Sequence, residues 1–162
     1  MKKLRLYLDT SVINFLFADD APDFRRITED FFARHAQHHE LYGSDVVVRE
    51  IWADTMVERR ERHLRVLVDH GVGILPQDLD SEVTRLADAY LRSGVVPPQK
   101  RNDAFHVAYA TVFEMDVLLS WNFKHMANLR REAQFAAVSQ AEGYWRSPRI
   151  VSPLEVNYDE EE

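Results

Sequence analysis

The chain has 162 residues, contains no cysteine and carries a formal net charge of −7, with a sequence pI of about 5.5. This length suits one domain with a sizeable core, and the lack of cysteine excludes disulfides, iron–sulfur clusters, thiolate zinc sites and a cysteine nucleophile. The acidic balance also excludes general electrostatic attraction as the way to hold a nucleic acid, so such a contact needs a few local cations or a bound metal.

Short apolar runs alternate with segments of helical periodicity along the chain. In chain order, the predicted elements are a strand over 4–8, a helix over 12–17, a helix capped by Asp23, a strand over 41–43, a helix capped by Ser44 and ending near Thr55, a helix over about 58–70, a strand over 72–75, a helix from Asp80 or Ser81 to Arg92, a helix over 102–113, a strand over 117–120, a helix over about 125–134 that a second could follow through Tyr144, and a strand over 149–151. The inward positions predicted for the helices over 23–32, 58–70 and 81–92 are Phe24, Ile27, Phe31, Phe32, Leu64, Leu67, Val68, Val83, Leu86, Ala87 and Tyr90.

This alternation predicts an α/β fold, a three-layer α/β/α sandwich around a short central, mostly parallel sheet. No linker or repeat divides the chain, so residues 1–155 are predicted to form one domain. Residues 156–162 end in four consecutive acidic residues and are predicted to be a disordered tail. No window approaches the roughly 20 apolar residues of a membrane span, so a cytoplasmic protein without a membrane contact is expected.

Two polar residues lie just beyond predicted strands: Asp9 directly follows the first, and Asn122 comes two positions after the run over 117–120. In parallel sheets, ligands bind beyond the carboxyl ends of the strands, near the point where the strand order reverses. Asp9 and Asn122 are therefore expected to lie close together. Asp103 joins them at the start of a helix, although Asp9 and Asp103 are both also explained as helix-capping residues.

Glu50 interrupts the apolar face of its helix, which it shares with Val46, Val47, Ala53 and Val57. A carboxylate that points toward the core needs a partner, because its desolvation costs several kcal/mol or neutralises it. The partner is predicted to be a bound divalent cation, with an ion pair to Arg49 or Arg5 as the alternative.

Four segments together resemble the acidic blocks of the PIN domain. They are Tyr7-Leu8-Asp9-Thr10-Ser11, the Ser-capped helix carrying Glu50, Asn102-Asp103-Ala104-Phe105-His106, and Leu119-Ser120-Trp121-Asn122-Phe123. Each block has low specificity, but their order and spacing match over nearly the whole chain. The resemblance implies a metal-dependent ribonuclease of the VapC type, the toxin of a toxin–antitoxin pair.

Carried over by position, the resemblance implies that Asp9, Glu50 and Asp103 are metal ligands for Mg²⁺ or Mn²⁺, with Asn122 where the family has a fourth acid. All four are predicted as catalytic residues. Phosphodiester hydrolysis needs a hydroxide at neutral pH and a counter-charge for phosphate oxygens, and a carboxylate-held cation supplies both. The expected partners are an RNA substrate, a small antitoxin protein and a second copy in a homodimer.

Residues beside the acids are predicted to contact substrate. Thr10 and Ser11 could hold a phosphate oxygen or cap a helix, and Lys100, Arg101 and Lys124 could meet RNA phosphates or be solvated surface charges. Other polar groups are predicted to have structural roles. The arginines over 59–65 are expected on a solvated helix face, and the histidines at 35, 38 and 39 are expected at the surface or in the core rather than in a zinc site. His106 is predicted to be a packed, hydrogen-bonded histidine.

Two other functions remain open. In a haloacid-dehalogenase-type phosphatase, an aspartate also ends the first strand, but that chemistry needs an acid two residues later, where this chain has Ser11. The second alternative is a PIN-fold module that binds RNA or protein with weak or no catalysis, which the amide at Asn122 favours.

Overall fold

The computed structural model describes residues 2–77 and 81–157. The strands in these ranges are β1 (Arg5–Leu8), β2 (Glu40–Ser44), β3 (Gly73–Leu75), β4 (Val117–Leu119) and β5 (Arg149–Val151). The α-helices are α1 (Thr10–Phe15), α2 (Pro22–Asp30), α3 (Asp45–Trp52), α4 (Val57–Asp69), α5 (Glu82–Ser93), α6 (Arg101–Val112) and α7 (Leu129–Ala141). Shorter turns are a π-helix over Phe31–His35 and 3-10 helices over Ala36–His38, Pro98–Lys100 and Pro153–Val156.

The strands form one sheet in the order β3-β2-β1-β4-β5, and all four pairings are parallel. β1 is central, with Leu6 opposite both Leu41 of β2 and Val117 of β4. Strands joined in parallel need crossover connections, and the helices supply them while covering the sheet. The predicted three-layer α/β/α fold is confirmed, and the sheet is wholly parallel in the described residues.

The core lies on both faces of the sheet. Leu6, Leu8, Leu118 and Leu119 are at most 1% exposed, which agrees with the continuous apolar character of these strands. The inward positions predicted for α5 are also buried. No helix in the described ranges is both long and apolar enough to cross a membrane.

Several predicted elements differ from the structure. Val68 was expected inside but is 73% exposed, because α4 turns Val66 and Leu67 to the core instead. Phe24 is also partly exposed, at 39%. The helix predicted over 125–134 is wrong in position: a series of turns follows Asn122, and α7 then begins after Asn128, whose side chain caps it by accepting from the N–H of Arg131.

The boundaries of three further segments also differ. α3 ends at Trp52 rather than near Thr55, and the helix expected to be capped by Asp23 begins at Pro22, with Asp23 in its first turn. Val156, assigned to the tail, is 5% exposed and packs into the core from the last 3-10 helix. The remaining tail positions, 158–162, and the alternative helix start at Asp80 lie outside the described residues.

Candidate functional site

The strand order reverses between β1 and β4, and the chain leaves both strands at the same edge of the sheet. Asp9 follows β1, and its N–H donates to the carbonyl of Leu119 at the end of β4 (3.1 Å). The first turn of α6 places Asp103 here, and α3 places Glu50. A pocket of about 310 Å³ opens between these elements and is lined by Glu50, Gln99, Lys100, Arg101, Asn102, Asp103 and Asn122.

Asp9 is 4% exposed. Ser11 Oγ donates a hydrogen bond to Asp9 Oδ1 and accepts one from the main-chain N–H of Trp121 (2.9 Å). Burial raises the pKa of Asp9, opposed by the positive charge of His106 and by hydrogen bonds from Ser11 and Ser120. The raised pKa means that the positive charge and hydrogen bonds around Asp9 do not fully compensate the ionised carboxylate for its loss of water.

Glu50 has two polar partners. Its Oε1 accepts from Thr10 Oγ1 (2.8 Å) and lies 2.6 Å from His106 Nε2. Burial acts to raise the pKa of Glu50, but the hydrogen bonds and charge of His106, with help from Thr10, lower it below its ordinary value. The alternative of an ion pair with Arg49 or Arg5 is therefore wrong, since Arg49 pairs with Asp45 (3.3 Å) and Arg5 donates to the carbonyls of Phe113 and Glu114.

His106 is 2% exposed and hydrogen-bonded, as predicted. Burial acts to lower its pKa, but the hydrogen bond and charge of Glu50 outweigh burial and raise it. When both ring nitrogens are protonated, Nε2–H donates to Glu50 and Nδ1–H to the hydroxyl of Tyr7 (2.7 Å). Tyr7 in turn bonds Ser44 Oγ (2.7 Å), so the Glu50–His106 pair is anchored in the core.

Asp103 and Asn122 face each other across the pocket. The amide Nδ2 of Asn122 points at Asp103 Oδ2 (3.4 Å), while its Oδ1 accepts from the N–H of His125 (3.0 Å). The His125 contact fixes the amide orientation, because only the oxygen can accept from an N–H. Burial raises the pKa of Asp103 to about 6 against the opposing charge of His106, and the negative charges of Asp9 and Glu50 add to the rise.

The donor set fits a hard divalent cation by chemistry and charge. Asp9 and Asp103 are acids with raised pKa values, so a cation beside them would relieve repulsion. However, no three acidic or histidine side chains among the described residues are arranged to hold a metal together. Glu50 accounts for part of this, because its Oε1 faces His106. Mg²⁺ is suited to such a site, since it often uses one or two carboxylates and keeps several waters.

The other predicted residues divide into two groups. The hydroxyls of Thr10 and Ser11 donate to Glu50 and Asp9, so they orient the acids. Arg101 pairs with Asp88 and lies over the ring of Phe105. Lys100 lines the pocket, and Lys124 is exposed in the turn that follows Asn122. In the described part of the chain, neither lysine forms an ion pair.

The histidines of the 35–39 segment do not converge. His35 contacts Asp30 (3.2 Å), and His39 Nδ1 accepts from the N–H of Leu4 (3.1 Å). The Glu50–His106 pair was missed from the sequence, although one signal existed: His106 lies about one helical turn beyond Asp103, on the same side of α6.

No family model and no curated protein matches the sequence. Solved structures do match. VapBC-1 from nontypeable Haemophilus influenzae aligns with a TM-score of 0.56 at 15% identity, over 93% of this chain and 98% of that one. VapBC2 from Rickettsia felis, bound to a DNA fragment from their promoter, aligns with a TM-score of 0.56 at 13% identity, over 92% and 98%. At this identity the likeness establishes the fold, and the chain has the PIN-like fold of the VapC type expected from its sequence.

Proposed function

We propose that the protein is a metal-dependent endoribonuclease that hydrolyses RNA phosphodiester bonds and acts as the toxin of a toxin–antitoxin pair. The observation that carries the proposal is the pair of acids at the strand-order reversal, Asp9 and Asp103, whose pKa values are raised by burial and by other acids nearby. Acids with perturbed pKa values in a cleft are typical of functional sites. The VapBC likeness of the fold supports the same proposal.

In this proposal Asp9 and Asp103 hold Mg²⁺ or Mn²⁺, and Glu50 and Asn122 complete its surroundings. When bound, such a cation supplies a hydroxide at neutral pH and offsets charge on the phosphate oxygens. The chain's own groups orient the site: Ser11 holds Asp9, His106 keeps Glu50 ionised, and the Asn122 amide faces Asp103. Lys100 lies where it can contact a substrate phosphate.

The test is cleavage of an RNA panel by the purified protein with Mn²⁺ and with EDTA. Metal-dependent cleavage is expected from the wild type and not from Asp103→Ala. The matched control is Asp23→Asn, which removes an acid whose side chain is 83% exposed and belongs to a surface ion pair. If Asp103→Ala cleaves as fast as the wild type, the activity does not belong to this site.

The toxin role predicts a small partner that blocks the pocket. A basic side chain from the partner would be electrostatically complementary to Asp9, Glu50 and Asp103. Co-expression with the product of the neighbouring gene is expected to yield a complex without ribonuclease activity. If no partner copurifies and the wild type is as well tolerated in cells as Asp9→Asn, the toxin role is wrong. That result would not contradict the proposed nuclease activity.

A second candidate is a binding module with weak or no catalysis. It is favoured by the lack, in the described residues, of three acidic or histidine side chains arranged for one metal. It is also favoured by Asn122, which adds no charge. Mn²⁺-independent RNA binding without cleavage would support this candidate over the nuclease.

A further inference from the structure

An aromatic cluster is built around Trp121, the residue before Asn122 of the acidic pocket. Trp121 is 6% exposed and forms its centre, with the rings of Phe24 and Phe123 packed on it at centroid distances of 4.6 and 5.8 Å. Phe24 and Phe123 are 6.1 Å apart and tilted by 56°. Unlike Trp121 they are open to solvent, with 39% and 46% of their surface exposed.

The cluster is held in place by hydrogen bonds at its buried centre. Trp121 Nε1 donates to Thr28 Oγ1 (2.9 Å), and the Trp121 main-chain N–H donates to Ser11 Oγ (2.9 Å). Ser11 is also the donor to Asp9. The two exposed rings are therefore presented on a support that is tied to the acidic site itself.

The ring of Phe123 is also close to the pocket along the chain. Phe123 follows Asn122, which lines the pocket, and consecutive Cα atoms lie about 3.8 Å apart. Phe123 therefore stands at the edge of the pocket, beside the position of a nucleotide adjacent to a phosphate bound there.

The charges around the cluster suit a polyanion. Burial and then the positive charges of Lys124, Arg131 and Lys100 lower the pKa of His125, which places these three cations around the turn that carries Phe123. Lys100 and Lys124 form no ion pair within residues 2–77 and 81–157. Cations beside exposed aromatic rings are the combination that single-stranded nucleic acids use, with bases stacking while cations track the backbone.

Resting on the proposed ribonuclease function, we propose that Phe24 and Phe123 form a stacking subsite for one unpaired nucleobase of the RNA, next to the phosphate that enters the acidic pocket. The two rings are packed on each other, so the base stacks on the solvent-exposed face of one of them rather than between them. A paired base is excluded, because its faces are covered by its neighbours. The subsite tolerates any base, since every base has a π-face.

The test uses a series of short RNAs in which 2-aminopurine is moved one position at a time. With Ca²⁺ in place of Mn²⁺ to prevent cleavage, wild type is expected to quench the fluorescence at one position. Phe123→Leu, which keeps apolar contact with Trp121, is expected to lose that quenching, and Phe123→Trp to keep it. In cleavage with Mn²⁺, Phe123→Leu and Phe24→Leu are expected to raise KM about 5- to 150-fold, the range for losing one stacked base, with a smaller change in kcat.

Leu129→Ala is the matched control, because Leu129 is a nearby apolar side chain that is 79% exposed and outside the aromatic cluster. Its KM and fluorescence are expected to match the wild type. Unchanged quenching and KM in Phe123→Leu would overturn the subsite while leaving the nuclease intact. Quenching without any cleavage in Mn²⁺ would overturn the nuclease and keep the subsite. If Phe123→Leu instead loses only a copurifying protein partner, the rings are a protein contact and the subsite is wrong.

Discussion

Replacing Asp103 by asparagine is expected to stabilise the metal-free protein above about pH 6 and to remove its response to Mn²⁺. Burial raises the pKa of Asp103 from 3.8 to about 6. Because each pKa unit corresponds to about 1.4 kcal/mol, the ionised carboxylate costs the folded state about 3 kcal/mol. Asparagine has the same shape without this charge, so about 3 kcal/mol is the upper value of the gain, or about 10 °C in Tm for a chain of this size.

The sign of the pH dependence follows from the raised pKa. Below pH 3.8, Asp103 is protonated in both folded and unfolded chains, and the variant has no advantage. As pH rises from 3.8 to about 6, wild type progressively loses stability relative to the variant, and above about pH 6 the difference stays constant. The measurement is the difference in Tm between Asp103→Asn and wild type across this pH range in EDTA.

The same melts with Mn²⁺ complete the experiment. Wild type is expected to gain about 2.7 kcal/mol when free metal is 100-fold above Kd, whereas Asp103→Asn gains nothing. Asp23→Asn, the exposed control, should behave as wild type in both buffers. A Tm difference that does not change with pH, or an equal Mn²⁺ gain in Asp103→Asn, would refute the electrostatic account of this site.

Three further predictions concern other residues. His106→Gln leaves Glu50, whose side chain is 30% exposed, without its counter-charge and is expected to lower the free energy of unfolding by about 1.5–3 kcal/mol in urea. Because the pKa of His106 is raised and that of Glu50 is lowered, the wild-type advantage should be full at mildly acidic pH, decline as pH rises through the raised pKa of His106, and also decline as pH falls through the lowered pKa of Glu50. Asn122→Asp adds a like charge facing Asp103, so it should lower the metal-free Tm and tighten Mn²⁺ binding in calorimetry, and equal affinities would place this residue outside the site. Leu118→Ala should cost about 2–5 kcal/mol through a core cavity while Mn²⁺ affinity stays unchanged, and a weakened affinity would contradict a separate core role.

The fold could be predicted from the sequence because each strand is recognisable from a short apolar run in its own segment. The apolar run over 117–120 and the short strand ending at Asp9 contain enough information to identify both as strands of a mostly parallel sheet. The buried faces of the helices were predicted less accurately. Val68 fits the apolar spacing of α4 as well as Val66 does, and only the packing direction of the helix decides which one is buried.

The pairing of Glu50 with His106 was not predicted, since it depends on a contact between residues far apart in the chain. Glu50 and His106 are separated by 56 positions, and nothing local in either helix specifies the other. The orientation of Asn122 likewise depends on the turn through His125, where the sequence pattern had suggested a helix. The convergence of the site residues follows from topology, whereas their pairing follows from side-chain geometry.

The central position of β1 has a consequence during synthesis on the ribosome. β1 is made first, but one of its two neighbours, β4, begins only at Val117. Until then one edge of β1 lacks its native partner, and such edges promote aggregation. Asp103 and the turn after β4 are also synthesised long after Asp9, so a shorter nascent chain lacks the assembled acidic pocket. Emergence of β4 from the ribosome therefore closes the exposed edge and assembles the pocket at the same stage of translation.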